Sequence, residues 1–304
     1  MSVFYQKNPI KQKFLFWCII CLNLLMKKIF IQQAVPIILT VFTFLALSTI
    51  LYGILLILDS LRLSHPIILD FRKREVLLGI AIYLKTAIDF AIFIGNLMET
   101  NPGWKKRVAI SLGTAMGNAA GTFAILIVWT LFKEIPILMM VLIFISSVVL
   151  LKMAEESLEE FLKQKKSFIQ IRMPVSLLQE QLNFVNKLFR PILRFFVPNL
   201  DLTRTKKLSF ANLIVFSFTI PFILGLNDFS GYIPLFVYIN VFGFSVGVLL
   251  GHMILTIGLF ASYKTTIAVV KHPFVLISGG LAFIAIGLYG FFGSFKILLS
   301  LLAP

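Results

Sequence analysis

Apolar runs dominate this chain and divide it into blocks separated by short basic stretches. Blocks at about 34–60, 76–99, 107–132, 135–152, 208–228, 231–263 and 273–302 read as membrane spans, because a crossing helix needs roughly 20 mostly apolar residues. Several blocks are longer than that, which predicts tilts, kinks or protruding ends. Residues 14–25 are apolar but short, and lie between Lys11, Lys13, Lys27 and Lys28. They fit a crossing, an interfacial helix or a signal-like segment equally well. Pro221 and Pro234 flank Asn227 and Asp228, predicting a broken helix at that point.

The pattern organises the chain into four parts. Residues 1–75 carry the lead-in and first span, and 76–152 hold three spans. Residues 153–207 form a polar linker, and 208–304 hold three more spans. Three spans is an odd number, so the second triplet enters the membrane in the opposite sense to the first. The expectation is an all-α polytopic membrane protein with a six-helix core of two inverted three-helix repeats, plus N-terminal helix or helices. Such repeats place a binding site where they meet, near the bilayer midplane. Within the linker, residues 154–166 are charged and helix-prone. Residues 177–197 carry apolar positions at helical spacing beside Lys187, Arg190 and Arg194, as in a helix lying in the membrane interface.

Composition narrows the class. Of 304 residues, 59% are hydrophobic and 13% charged, with a mean hydropathy of +0.97. No water-soluble domain has that balance. The continuous apolar runs argue against a β-barrel. The net charge of +15 would suggest nucleic acid in a soluble chain, but here the basic residues crowd between spans and set topology instead. Lys105, Lys106 and Arg107, the basic residues of the linker, and Lys264 and Lys271 fall on one side. Arg62, Arg72, Lys73, Arg74 and Lys133 fall on the other. The bias puts the linker in the cytoplasm of a multi-pass plasma-membrane protein.

Candidate chemistry centres on two aspartates, Asp89 and Asp228, one in each half. A carboxylate in hydrocarbon costs roughly 2.5–3.5 kcal/mol, so it faces a cavity, a partner or an ion path. Lys85 stands one turn before Asp89, which predicts an ion pair along one helix face. Thr86, Asn96, Asn118 and Asn227 add neutral oxygens. With the two aspartates they make a hard-ligand set suited to a divalent cation. His252 reads either as a proton relay or as an interhelical hydrogen-bonder. Gly113, Gly117 and Gly121 recur as Gly243, Gly247 and Gly251, a spacing that lets a neighbouring helix approach closely. Cys18 and Cys21 lack the βαβ context of a redox pair. No catalytic or nucleotide motif is present, so neither an enzyme nor a cofactor is expected, and any pumping must draw on a proton or ion gradient.

These residues also carry a resemblance. Thr86-Ala87-Ile88-Asp89-Phe90 resembles the Thr-x-x-Asp-Asp start of cadmium-resistance exporters in the lysine-exporter superfamily. Gly113-Thr114-Ala115-Met116-Gly117 resembles their Gly-Gln-Tyr-Leu-Gly run. The run from Asn227 to Phe236 resembles their Asp-Asn-x-x-x-Tyr-x-Pro-x-Phe. The similarity covers roughly residues 76–302 and implies inverted three-helix repeats exporting a divalent cation. The pattern departs at Phe90, at Thr114 and in the reversed Asn227–Asp228 order, and Lys85 is added. Three functions are carried forward: a cation exporter, an exporter of an amino acid or other small cationic solute, and a transport-inactive scaffold that keeps the fold. The expected partners are the lipid bilayer, a small cation, a coupling proton or ion, and a second copy in a homo-oligomer, with no nucleic acid.

Overall fold

The computed structural model describes residues 9–60, 69–164, 169–191, 193, 207–237 and 239–302, excluding the side chains of 9–33, 169–170 and 227–230. Ten helices follow in order among the described residues: α1 Pro9–Ser60, α2 Lys73–Thr86, α3 Ile88–Thr100, α4 Trp104–Phe132 and α5 Pro136–Lys163, then α6 Ile169–Leu188, α7 Phe210–Gly231, α8 Ile233–Phe236, α9 Val241–Val270 and α10 Pro273–Leu302. No strand occurs among them. Five are long and apolar enough to cross a membrane: Ala34–Ser60 within α1, α4, α5, α9 and α10. α2 and α3 pass the same test only when taken together, and they are bent by 62° at their junction, as in a broken span or a re-entrant loop. The protein has the helices of a multi-pass membrane protein.

Local chemistry explains several boundaries. Gly103, at φ +106°, turns the chain into α4 with a backbone conformation other residues avoid. Pro136 opens α5 at a position where its missing N–H is no loss. Asn240 caps α9, its side-chain oxygen accepting from the N–H groups of Phe242 at 2.9 Å and Gly243 at 3.2 Å.

Three boundaries differ from the sequence expectation. The block at 76–99 is two helices meeting at Ala87 rather than one continuous helix. The second break falls at Tyr232, so the backbone at Asn227 and Asp228 is still helical. Residues 154–163, read as the start of the linker, continue α5 without interruption. No glycine or proline lies between Pro136 and Lys163, so nothing stops the helix at the membrane edge.

The helices pair in a crossed pattern. α2 and α3 pack on α9, α4 packs on α7, and α5 packs on α10, while α1 lies across α4 and α9. Glycines bring these partners together. A methyl group at Gly117 would strike the backbone of Phe218, and one at Gly121 the carbonyl of Phe222. Across the molecule, a methyl at Gly247 would strike the carbonyl of Val76, and one at Gly251 the ring of Tyr83. Both glycine triplets therefore receive a helix from the opposite half at near backbone contact. In lipid, such van der Waals contact is what drives helix association.

The linker helix α6 does not lie flat across the bundle end. Arg172 donates to the Leu162 carbonyl at 2.7 Å, and Asn186 donates to Glu155 at 2.7 Å. Further on, the Phe189 ring sits 5.7 Å from Phe144. The helix thus runs antiparallel along α5, burying Val175 and Leu182 against the bundle.

Candidate functional site

The site forms where the first helical pair bends. Lys-Thr-Ala-Ile-Asp contains no helix breaker, yet α2 stops at Thr86 and α3 starts at Ile88. Ala87 still donates to the Tyr83 carbonyl at 2.9 Å and accepts from Ala91 at 2.8 Å. The Thr86 hydroxyl also donates to the Tyr83 carbonyl, at 3.0 Å, adding a competitor for that acceptor. In turn, the fully buried Tyr232 donates its hydroxyl to Thr86 Oγ1 at 2.6 Å. Tyr232 is the residue at which α7 breaks from α8. The two interruptions, from opposite halves of the chain, are therefore hydrogen-bonded to one another. Replacing Tyr232 by Phe and Thr86 by Val should give a coupling of about 0.6 kcal/mol, and at most about 1.7. A double-mutant cycle on unfolding in bicelles measures it.

Beside this junction lies a cavity of about 300 Å³ bounded by Lys85, Asp89, Met153, Glu156, Ser157 and Phe283, among others. Glu159, Glu160 and Lys163 line its rim. Most of these charges are already neutralised. Lys163 pairs with Glu159 at 3.0 Å, Lys271 with Glu160 at 2.7 Å, and Lys152 with Glu156 at 3.6 Å. Asp89 is exposed to the cavity and has no ion-pair partner within 4.0 Å among the described residues. Lys85 is buried and has none either. Its ammonium instead donates to Ser157 Oγ at 2.6 Å and to the Leu276 carbonyl at 3.2 Å.

The expected Lys85–Asp89 pair is thus not made. The i, i+4 argument needs a continuous helix, and the bend at Ala87 turns the two residues away from a shared face. Gly279 makes the alternative possible. The aliphatic stem of Lys85 lies across Gly279, where a side chain would overlap it. Lys85 consequently spans from α2, over α10, to Ser157 on α5.

The other expected residues are distributed as follows. Asn96 lies on α3 beyond Asp89, with its backbone carbonyl accepting from Thr100 at 2.8 Å. Asn118 is buried on α4 with its Nδ2 unpartnered, while its backbone carbonyl and Oδ1 lie against the close-packed Gly225 of α7. His252 is buried between helices, with Nδ1 2.9 Å from the Tyr83 hydroxyl and Nε2 3.4 Å from Thr256. Its ring contacts Tyr83 and Phe90 edge-on. That is the interhelical hydrogen-bonding geometry, joining α2 to α9. The side chains of Asn227 and Asp228 lie outside the described residues. Among the described residues, no group of three or more His, Cys, Asp or Glu forms a metal-holding cluster.

Glu156, Ser157, Glu159 and Glu160 were not singled out in the sequence as site residues, nor were Phe283 and Tyr232. The acidic run was legible only as polar linker. The usable signal was the unbroken helical sequence that joins it to the span at 135–152. No family model, curated protein or solved structure matches the chain.

Proposed function

We propose that the protein is a secondary transporter that holds a cation at Asp89, in the cavity between the α2–α3 bend and α5. The observation that carries this reading is the bonded pair of helix interruptions, Thr86 to Tyr232, set beside a cavity with an uncommitted carboxylate. Interrupted spans that line a cavity are where transporters bind their solutes. Crossed pairing of the two triplets along matched glycines supports inverted repeats. The resemblance to cadmium-resistance exporters supports export of a cation. A gradient of protons or another ion drives the cycle, for want of any nucleotide site.

Asp89 binds the cation and Lys85 supplies the internal charge that stands in for it when the site is empty. In the present arrangement Lys85 rests on Ser157 and Leu276, leaving Asp89 open. A second reading is a small solute with both charges, such as an amino acid. The specific observation for it is that one unpaired anion and one unpaired cation face the same cavity.

Cation flux into proteoliposomes tests the proposal. Asp89→Asn keeps the volume and removes the charge, and should lower flux about tenfold or more, equivalent to about 1.4 kcal/mol or more of lost binding. Wild-type flux in that variant, with the protein folded, would remove Asp89 from the path.

A further inference from the structure

A second cavity, of about 630 Å³, adjoins the first. It lies between α2, α9 and α10, and its walls are almost wholly apolar, with Leu78, Ile82, Ile254, Val269 and Ala282 among them. Among the described residues, Lys85 and Phe283 alone line both cavities. The Lys85 stem lying across Gly279 is therefore a crossbar between an acidic compartment and an apolar one.

The second compartment is built by a bend in α9. Ser262 leaves the helical region at φ −158°, ψ 93°, and its hydroxyl pairs with Thr265 at 2.7 Å. Thr266 then donates to the Ser262 carbonyl at 3.0 Å. Lining residues come from both sides of this bend, from Ile254 to Gly258 before it and Thr265 to Val270 after it. Ile254 and Val269, 43% and 61% exposed, sit at the mouth of the cleft.

We infer that the transported solute is an amphipathic organic cation, whose charged head sits at Asp89 and whose apolar portion occupies the cleft beyond Lys85 and Phe283. The inference rests on the transporter reading above and names its substrate class. Apolar walls offer nothing to a bare inorganic ion, which leaves its hydration shell reluctantly. They suit a solute that carries an apolar portion of its own. The charges fit as well, since the carboxylate is in one compartment and the other presents apolar walls. Displacing the Lys85 ammonium from Ser157 would join the two compartments into one elongated site.

The test uses the full chain in liposomes and n-alkyltrimethylammonium ions from methyl to octyl, with binding read by displacement of radiolabelled tetramethylammonium. Affinity should rise about fourfold per added methylene, the factor for full burial of a CH₂. Ala282→Phe and Ala81→Phe each fill the cleft and should collapse the octyl-to-methyl affinity ratio. Ile137→Phe, at an exposed position of α5 that lines neither cavity, controls for the added aromatic ring and should keep the wild-type ratio. The inference is overturned if both plugged variants keep the ratio of Ile137→Phe, if no member of the series binds, or if octylsulfonate binds as octyltrimethylammonium does. Failure of the underlying reading looks different: Asp89→Asn then leaves the affinity of every member at its wild-type value. Weakened tetramethylammonium binding in Asp89→Asn, with a ratio indifferent to both plugs, keeps the cation site and removes only the cleft.

Discussion

Gly117→Leu prevents assembly of the helical bundle, and Gly247→Leu does the same from the other side. At Gly117 even a methyl group would overlap the Phe218 carbonyl and crowd that residue's Cα, and at Gly247 it would overlap the Val76 carbonyl. These are backbone atoms, which cannot rotate aside as a side chain does. Overpacking of a fitted interior costs about 1–3 kcal/mol, and that is the effect expected for Gly117→Ala and Gly247→Ala. Leucine adds three more carbons to the same contact and forces α4 from α7, or α9 from α2. Gly53 is the control of opposite sign. It lies within α1 with nothing near the position of a Cβ, so Gly53→Ala should stabilise by about 0.5–1 kcal/mol through helix propensity alone. Equilibrium unfolding in mixed detergent micelles, with size-exclusion profiles as a check on assembly, reads all five variants. A folded, wild-type-like Gly117→Leu would mean that α4 and α7 stand further apart than described.

The seams tested in that way were legible in the sequence because spacing in a helix determines facing. Gly113, Gly117 and Gly121 lie four apart, as do Gly243, Gly247 and Gly251, and each set had to share one face whatever the surrounding fold. What spacing could not reveal was the partner, and in each triplet the partner comes from the other half of the chain. The break in the second half was anticipated from Pro221 and Pro234 but displaced by a few residues. Proline restricts its neighbours without choosing which of them gives way. In the first half no proline or glycine marks Ala87. At the bend the Thr86 hydroxyl meets Tyr232, a hundred and more residues later, and such a contact has no local signature. The missing Lys85–Asp89 pair follows directly. A rule for continuous helices was applied across a bend that tertiary packing creates. Glu156 and Glu160 illustrate the converse, since charge marks the end of the apolar run while the helix continues to Lys163.

Replacing Lys85 by methionine should raise stability and stop net transport, and the opposite signs separate the transporter from a scaffold. Methionine keeps the length that crosses Gly279 and removes the charge. Lys85 is 7% exposed and has no carboxylate in ion-pair range among the described residues. A lysine ammonium at the centre of a span costs roughly 2.5–3.5 kcal/mol, so relief of about 2 kcal/mol is expected. No orphan is left behind, because Ser157 already donates to the Leu276 carbonyl at 3.0 Å. Function responds the other way. If Lys85 replaces the cation beside Asp89 in the empty protein, its loss blocks return of the unloaded site and spares exchange of one bound cation for another. Net efflux from loaded proteoliposomes should fall at least about 100-fold, equivalent to about 2.7 kcal/mol, while exchange across the membrane stays within a few fold of wild type. Equal loss of net efflux and exchange would give Lys85 a part in binding instead. A scaffold predicts the gain in stability alone: Lys85→Met combined with Asp89→Met would keep every cellular phenotype, and a transporter carrying both substitutions would lose them.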